Sequence, residues 1–209
     1  MSATELTEDL SKVIDELEKK CAELPDNIMA HHHLAVVYRK AGRQTDALRE
    51  LNKCIELDCH SVEAHINLGA IYFDMGELDK ALAANQAALQ TLSTSAQAHA
   101  NIGMIYWHQE DAEKSVAAYQ EAVRNDPKLV TAWTGMASAQ IMAGNFEEAL
   151  KAANESIKLE PDFPMAQNNL AVALFYNNDF KGAKIAAEKA AQMGYPVDPR
   201  FFEAINKNL

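Results

Sequence analysis

The chain has 209 residues, of which 48% are apolar, and it carries 30 acidic against 19 basic side chains. The net charge of −11 argues against nucleic acid or an anionic membrane as a partner, because both require a basic surface. Protein or peptide partners of neutral or basic character stay compatible with it. No apolar stretch reaches the length of a membrane-spanning helix.

The first ten residues, MSATELTEDL, lack both the basic start and the apolar run of a secretory signal. We therefore expect a cytoplasmic protein. The three cysteines, Cys21, Cys54 and Cys59, form no CxxC pair, and their odd number indicates reduced thiols. We expect Cys54 to serve in packing, since a free cysteine behaves as a small apolar residue.

A helix is predicted over Thr4–Leu24, because apolar residues recur there at helical spacing and Pro25 ends the run. The apolar stripe consists of Leu6, Leu10, Val13, Ile14, Leu17 and Cys21. The opposite face is mostly acidic and is expected to be solvated. Residues 1–27 are thus predicted to form an N-terminal capping helix.

The clearest pattern of the middle region lies in Val130–Phe163. It predicts a helix over Thr131–Ala143, a turn at Gly144-Asn145, and a second helix over Phe146–Leu159. Neither helix can bury its apolar stripe alone, so the two are expected to pair as a hairpin.

The same hairpin recurs along the chain at a constant interval. Trp133 corresponds to His99, His65, His31 and Gln167; Gly144 corresponds to Gly76 and Gly42; Ala149 corresponds to Ala81, Ala47 and Ala183. A helix–turn–helix period of about 34 residues with this pattern resembles the tetratricopeptide repeat. The resemblance implies an all-α, right-handed solenoid of five repeats, at residues 28–61, 62–95, 96–129, 130–163 and 164–197, with N- and C-terminal capping helices.

The C-terminal cap is predicted at residues 198–209. Asp198-Pro199 is typical of a helix start, with proline at the first helical position. Phe201, Phe202 and Ile205 are expected to close the core of the last repeat.

Three residues depart from the repeat pattern in ways that have structural consequences. Asn85 occupies a normally apolar position, so we expect it to be hydrogen-bonded rather than orphaned. Glu110 replaces the glycine of the turn and would be strained by about 1–2 kcal/mol if that turn requires a positive φ; the alternative is that this turn adopts another shape. Asn178 stands at the same place in the last repeat, where asparagine is tolerated.

The candidates for chemistry do not combine into a catalytic or metal site. His31, His32 and His33 point about 100° apart on a helix, so they cannot converge on one ion. His31, His65 and His99 lie one per repeat, too far apart to share a metal. No catalytic triad or phosphate loop is present. We expect no enzymatic activity, no metal and no cofactor.

Recognition of another protein is the remaining function. In tetratricopeptide arrays the first helix of each pair lines the concave surface. The resemblance therefore assigns the groove to the second, fifth, sixth, ninth, twelfth and thirteenth residues of each unit. The sixth position includes Asn67, Asn101 and Asn169, whose amides could hold a peptide backbone. The alternative interpretation is that these asparagines have no binding role, because asparagine is a common polar residue at this position of the repeat. The basic residues with which one sub-family clamps a C-terminal carboxylate are missing, so that mode is not expected.

An apolar band is predicted beside these asparagines. It consists of Phe73, Met104, Trp107, Ile141, Met142, Phe175 and Tyr176, although some of them are expected to pack against neighbouring helices. The resulting hypothesis is a non-catalytic scaffold that binds a peptide or protein segment of apolar character in the concave groove. The alternative is a structural protein that self-assembles through its ends or its convex face, forming a homo-oligomer.

Overall fold

The computed structural model describes the backbone of residues 3–209 and the side chains of residues 10–209. Over that part of the chain the fold consists of twelve α-helices and no strands, which confirms the expected all-α class. The predicted contribution of Leu6 to the first helix lies outside the described side chains. The helices are α1 Ala3–Glu23, α2 Ile28–Lys40, α3 Gln44–Leu57, α4 Val62–Asp74, α5 Leu78–Thr91, α6 Ala96–His108, α7 Ala112–Asn125, α8 Val130–Met142, α9 Phe146–Leu159, α10 Pro164–Tyr176, α11 Phe180–Gln192 and α12 Pro199–Asn208.

Helices α2, α4, α6, α8 and α10 each begin one full repeat after the one before. The residue before each of the first three of these helices caps it, because its side chain accepts a hydrogen bond from a main-chain N–H of the first turn. Asn27 accepts from the Ala30 N–H at 3.1 Å, and Ser61 and Ser95 accept from the N–H three residues on at 3.4 Å. Helix α10 instead starts with Pro164, which has no N–H to satisfy.

Each of these first helices ends in the same type of turn. The N–H of the residue after the turn donates to a carbonyl five residues back, as Asn145 does to Gln140 at 2.9 Å. The residue directly before the one that donates this N–H adopts a positive φ. Three turns use glycine for this, whereas Glu110 and Asn178 adopt φ values of 60° and 64°. Glu110 thus adopts the left-handed conformation, which the sequence had left open.

The chain forms two compact units, Met1–Asn101 and Ile102–Leu209. In unit 1 the core is built around Leu34, Tyr38, Leu51 and Ile71, with Cys54 fully buried as expected. Ile14 and Cys21 bring helix α1 onto this core. Val13 was predicted to join them, but that prediction is wrong, because its side chain is 41% exposed.

A polar pair is built into the core of unit 1. Asn85 lies against Gly69, where an added methyl group would stand 2.2 Å from its amide nitrogen. The Asn85 amide donates to the Ala81 carbonyl at 2.8 Å and accepts from Asn101 at 3.0 Å. The expectation of a hydrogen-bonded Asn85 is confirmed.

Unit 2 packs its helices closely through small residues. Ala137, Ala149 and Ala153 are fully buried where helices α8 and α9 meet. At the C-terminal end Asp198 caps helix α12, and Ile205 is completely buried. Phe201 and Phe202 pack on the same cluster, so the last helix closes the core of the unit as expected.

Among residues 3–209, the structure contains no helix with both the length and the apolar character needed to cross a lipid bilayer.

Candidate functional site

The histidines that recur once per repeat share one structural contact. The side-chain N–H at this position donates to the main-chain carbonyl six residues earlier. The five pairs are His31 with Pro25, His65 with Cys59, His99 with Ser93, Trp133 with Pro127 and Gln167 with Pro161, at 2.9–3.1 Å. Histidine, tryptophan and glutamine can replace one another at this position, because the side chain of each places an N–H within hydrogen-bond distance of that carbonyl.

An apolar concavity lies in unit 2, and we call it the unit 2 groove. Its volume is about 520 Å³. It is lined by Met104, Trp107, His108, Tyr119, Thr131, Thr134, Gly135, Ser138, Ile141, Phe163, Met165, Asn168, Asn169, Val172 and Tyr195. None of these described lining residues is an aspartate, glutamate, lysine or arginine. The groove can therefore accept a neutral apolar group without stranding a charge.

Tyr119 forms part of the floor of this groove. Helix α7 places its ring against Gly103 of α6 and Gly135 of α8, and a methyl group on Gly135 would stand 2.2 Å from the ring. No described residue is hydrogen-bonded to the Tyr119 hydroxyl. Since the described side chains include no buried polar atom without a partner, this hydroxyl contacts solvent. Burial of the ring raises the pKa of Tyr119, which keeps it a neutral donor.

Two apolar side chains of the groove are unusually open to solvent. Trp107 is 40% exposed and Met165 is 43% exposed. The Trp107 ring meets His108 edge-on, with 5.2 Å between ring centroids. Met104 and Ile141 lie half-buried in the same lining. Large apolar groups held at a surface are typical of contact sites.

Asn169 is buried beneath the groove, and its amide nitrogen is already engaged. It donates to the Thr134 carbonyl at 3.0 Å and to the Ser138 hydroxyl at 2.8 Å. Its oxygen accepts no hydrogen bond from the described residues. Asn168, next to it, also lines the groove, although it was not among the predicted site residues.

The other two predicted asparagines lie in unit 1. Asn101 is buried; its amide donates to Asn85, and its oxygen accepts from Gln97 at 2.9 Å. Asn67 contacts His32, with 2.7 Å between Nδ2 and Nε2. It lines a smaller concavity of about 300 Å³ with Arg39 and Asp74, which form an ion pair. Phe73 is half-buried in the same unit.

The remaining predicted residues, Met142, Phe175 and Tyr176, do not line the unit 2 groove as described. Phe175 was expected in a solvent-facing band, but its half-buried ring packs edge-on against Phe180 and Phe201, beside the core of unit 2. Tyr176 is 54% exposed, yet its ring stacks on Phe146 with centroids 4.1 Å apart. Aromatic packing at the end of unit 2 therefore uses two side chains that the sequence placed in the groove.

The position rule nevertheless describes most of the groove. Its lining residues from helices α6, α8 and α10 all fall at the second, fifth, sixth, ninth, twelfth or thirteenth place of their repeat. Tyr119, Phe163 and Tyr195 come from elsewhere: a second helix, the loop before α10, and the segment after α11. No periodic signal could have identified these three.

Helix pairs that recur at a fixed spacing define a helical-repeat protein. Unit 2 of this protein also contains an open apolar groove. Two family models described as "Tetratricopeptide repeat" match residues 61–128 and 134–199, and one described as "TPR repeat" matches residues 35–76. The chain belongs to the tetratricopeptide repeat family.

Solved structures of low sequence identity share this fold. YrrB, described as a TPR protein with an unusual peptide-binding site, has a TM-score of 0.68 at 19% identity, covering 91% of this chain and 97% of its own. PilF of Pseudomonas aeruginosa has a TM-score of 0.77 at 20% identity, covering 86% and 83%. MamA has a TM-score of 0.66 at 21% identity, covering 77% and 94%. Among curated proteins, none matches the sequence significantly.

Proposed function

We propose that this protein is a non-catalytic scaffold that binds a segment of a partner protein in the unit 2 groove, and that the segment is apolar and uncharged. The observation that carries the proposal is the lining itself. A concavity of about 520 Å³ exposes Trp107 and Met165 and includes no charged side chain of the Asp, Glu, Lys or Arg type among its described residues. Aromatic and methionine side chains of this kind are typical anchors of interfaces.

A few polar groups in the groove suit a peptide backbone. The Tyr119 hydroxyl is a donor that contacts solvent, and the Asn169 oxygen is an acceptor left open by the described residues. A peptide offers one N–H and one carbonyl per residue, so both groups could be satisfied without recognising a particular side chain. The net charge of −11 further disfavours an acidic segment.

The peptide-binding site described for YrrB, which shares this fold, supports the same kind of ligand here. The identity of 19% does not transfer individual residues, so the proposal depends on the lining of the groove in this chain.

The proposal is tested with random peptides displayed on phage and selected on the immobilised protein. We expect the enriched sequences to be apolar and free of charge. Binding of a synthetic version is then measured by isothermal titration calorimetry. Trp107→Ala and Met165→Ala should each weaken it, the former by about tenfold or more, because truncating a central aromatic anchor typically costs about 2 kcal/mol.

Ile185→Ala is the matched control, since Ile185 is 69% exposed on helix α11 but does not line the groove. It should leave the affinity unchanged. Selection of charged peptides, or equal affinity for wild type, Trp107→Ala and Met165→Ala, would contradict the proposal. Light scattering across protein concentration tests the self-assembly alternative, which requires an oligomer that persists when Trp107 is replaced.

A further inference from the structure

Three buried side chains with metal-ligating atoms meet in unit 1. Cys21 comes from helix α1, His31 from α2 and Glu50 from α3. The cysteine sulfur, a histidine ring nitrogen and a carboxylate oxygen all lie within 4.8 Å of one another. The exposed fractions of the three residues are 8%, 7% and 8%. A thiol, an imidazole and a carboxylate are the three kinds of side chain that zinc binds in proteins.

The hydrogen bonds of His31 determine what its second nitrogen does. Nε2 lies 3.0 Å from the Pro25 carbonyl, which can only accept, so Nε2 carries a hydrogen. Nδ1 lies 2.7 Å from Glu50 Oε2. A bare imidazole lone pair and a carboxylate oxygen repel each other at that separation. A cation bound to both atoms would offset this repulsion, as would a proton shared by them.

Neighbouring groups already orient two of the three side chains. The Nε2–H bond to a main-chain carbonyl is the kind of outer contact that fixes the ring of a metal-bound histidine. The other oxygen of Glu50 accepts from the Arg49 guanidinium at 3.0 Å. The histidine and the carboxylate thus need little further ordering to bind an ion.

The repeats themselves show that this cluster is not required by the fold. At the equivalent places of the later repeats, the position of Glu50 is occupied by Ala84, Ala118, Ala152 and Ala186. The position of Cys21 is occupied by Ile55, Leu89, Val123 and Ile157. His65 and His99 make the same carbonyl contact as His31 within these apolar surroundings. Beside His31, therefore, Cys21 and Glu50 stand at positions where the other repeats have apolar residues.

We propose that Cys21, His31 and Glu50 form a binding site for one zinc-type divalent cation, which ties the N-terminal helix to the first helix pair. Sulfur, nitrogen and oxygen ligands together suit a borderline ion of this class. The prediction that no metal binds was based on the histidines alone, which cannot share one ion. The ligands instead come from three helices that the fold brings together.

The experiment uses the full-length protein, freed of metal with a chelator and titrated with Co²⁺. A thiolate bound to Co²⁺ gives a charge-transfer band in the near ultraviolet, which should saturate at one ion per chain. Zn²⁺ should displace the cobalt and raise the thermal unfolding midpoint as its concentration increases. A protein that gives no band and no change in midpoint would overturn the proposal, whatever the variants do.

Three substitutions test the ligands, and two matched ones serve as controls. Cys21→Ser should abolish the charge-transfer band. His31→Gln and Glu50→Gln should weaken binding by about tenfold or more. His31→Gln is conservative for the fold, because Gln167 makes the equivalent carbonyl bond in the last repeat. His65→Gln and Cys59→Ser, the latter at an exposed thiol, should leave the titration unchanged. Loss of the band in Cys59→Ser but not in Cys21→Ser would assign the metal to the surface and refute the site.

Discussion

The ring of Tyr119 lies so close to Gly135 that an added methyl group on the glycine would stand 2.2 Å from the ring Cζ and 2.5 Å from the hydroxyl oxygen. Because Gly135 of helix α8 has no side chain, the ring of Tyr119 from helix α7 can lie against it. This contact gives the unit 2 groove an aromatic floor that ends in a hydroxyl group.

Gly135→Ala should therefore destabilise the protein by about 1–3 kcal/mol, since the methyl group can be accommodated only if the ring moves. Urea denaturation measures the effect. In the double variant with Tyr119→Leu the cost of the methyl group should largely disappear, giving a clear coupling energy between the two positions. Strictly additive effects would show that the close approach has no energetic consequence.

The turn at Glu110 offers a stabilising substitution. Glu110→Gly should raise the free energy of unfolding by roughly 1 kcal/mol, because its φ of 60° is unfavourable for a residue with a Cβ. Asn178→Gly, at a φ of 64°, should gain less, since asparagine tolerates this conformation better. As a control, Glu113→Gly on the exposed face of helix α7 should destabilise by about 1 kcal/mol. Destabilisation by Glu110→Gly would contradict the strain.

The repeated side-chain bond to a carbonyl predicts which replacements each repeat tolerates. His99→Gln should retain most of the stability, because an amide N–H can reach the Ser93 carbonyl as Gln167 reaches that of Pro161. His99→Leu keeps the bulk but loses the donor, and should cost about 1 kcal/mol more. Chemical denaturation compares the two. If leucine proves as good as glutamine, the bond contributes nothing and the position serves only in packing.

Alkaline pH should weaken unit 1 through Tyr38. Burial, together with the hydrogen bond to Glu18, raises the pKa of Tyr38 from 10.0 to about 12. Because the phenol ionises less readily in the folded than in the unfolded state, its contribution is fully present below pH 10 and is lost as the pH rises from 10 to about 12. The loss reaches about 1 kcal/mol by pH 11.

Tyr38→Phe removes this titration. Its unfolding free energy should therefore fall less between pH 9 and pH 11 than that of wild type, by about 1 kcal/mol. The difference is obtained from urea denaturation at both pH values. Parallel pH profiles for the two proteins would show that Tyr38 ionises normally.

The sequence was informative wherever one residue type has one structural consequence. Glycine at the turns, Asn85 in the core and Asp198 at the last helix all behave as their chemistry requires. The helical position rule also placed Met104, Trp107 and Ile141 together in the groove lining. Whether these residues bind a partner stays a prediction.

Periodicity was less informative where the contact depends on a neighbour outside the repeat. Val13 fits the apolar stripe of helix α1, yet its side chain is 41% exposed. Phe175 occupies a groove position, but its half-buried ring packs edge-on against Phe201 of the final helix, beside the core. The cluster of Cys21, His31 and Glu50 could not be predicted from the sequence either, because its members lie on three helices and share no sequence motif.

The contrasting environments of the two tryptophans have a practical consequence. Trp133 is held by its bond to Pro127, whereas Trp107 is 40% exposed in the groove. Replacing Trp133 by histidine, which three other repeats carry at that position, would leave a single indole fluorophore. If a segment binds in the unit 2 groove as proposed, the emission of this indole should shift to the blue as water leaves the ring, and the shift would then report occupancy of the groove.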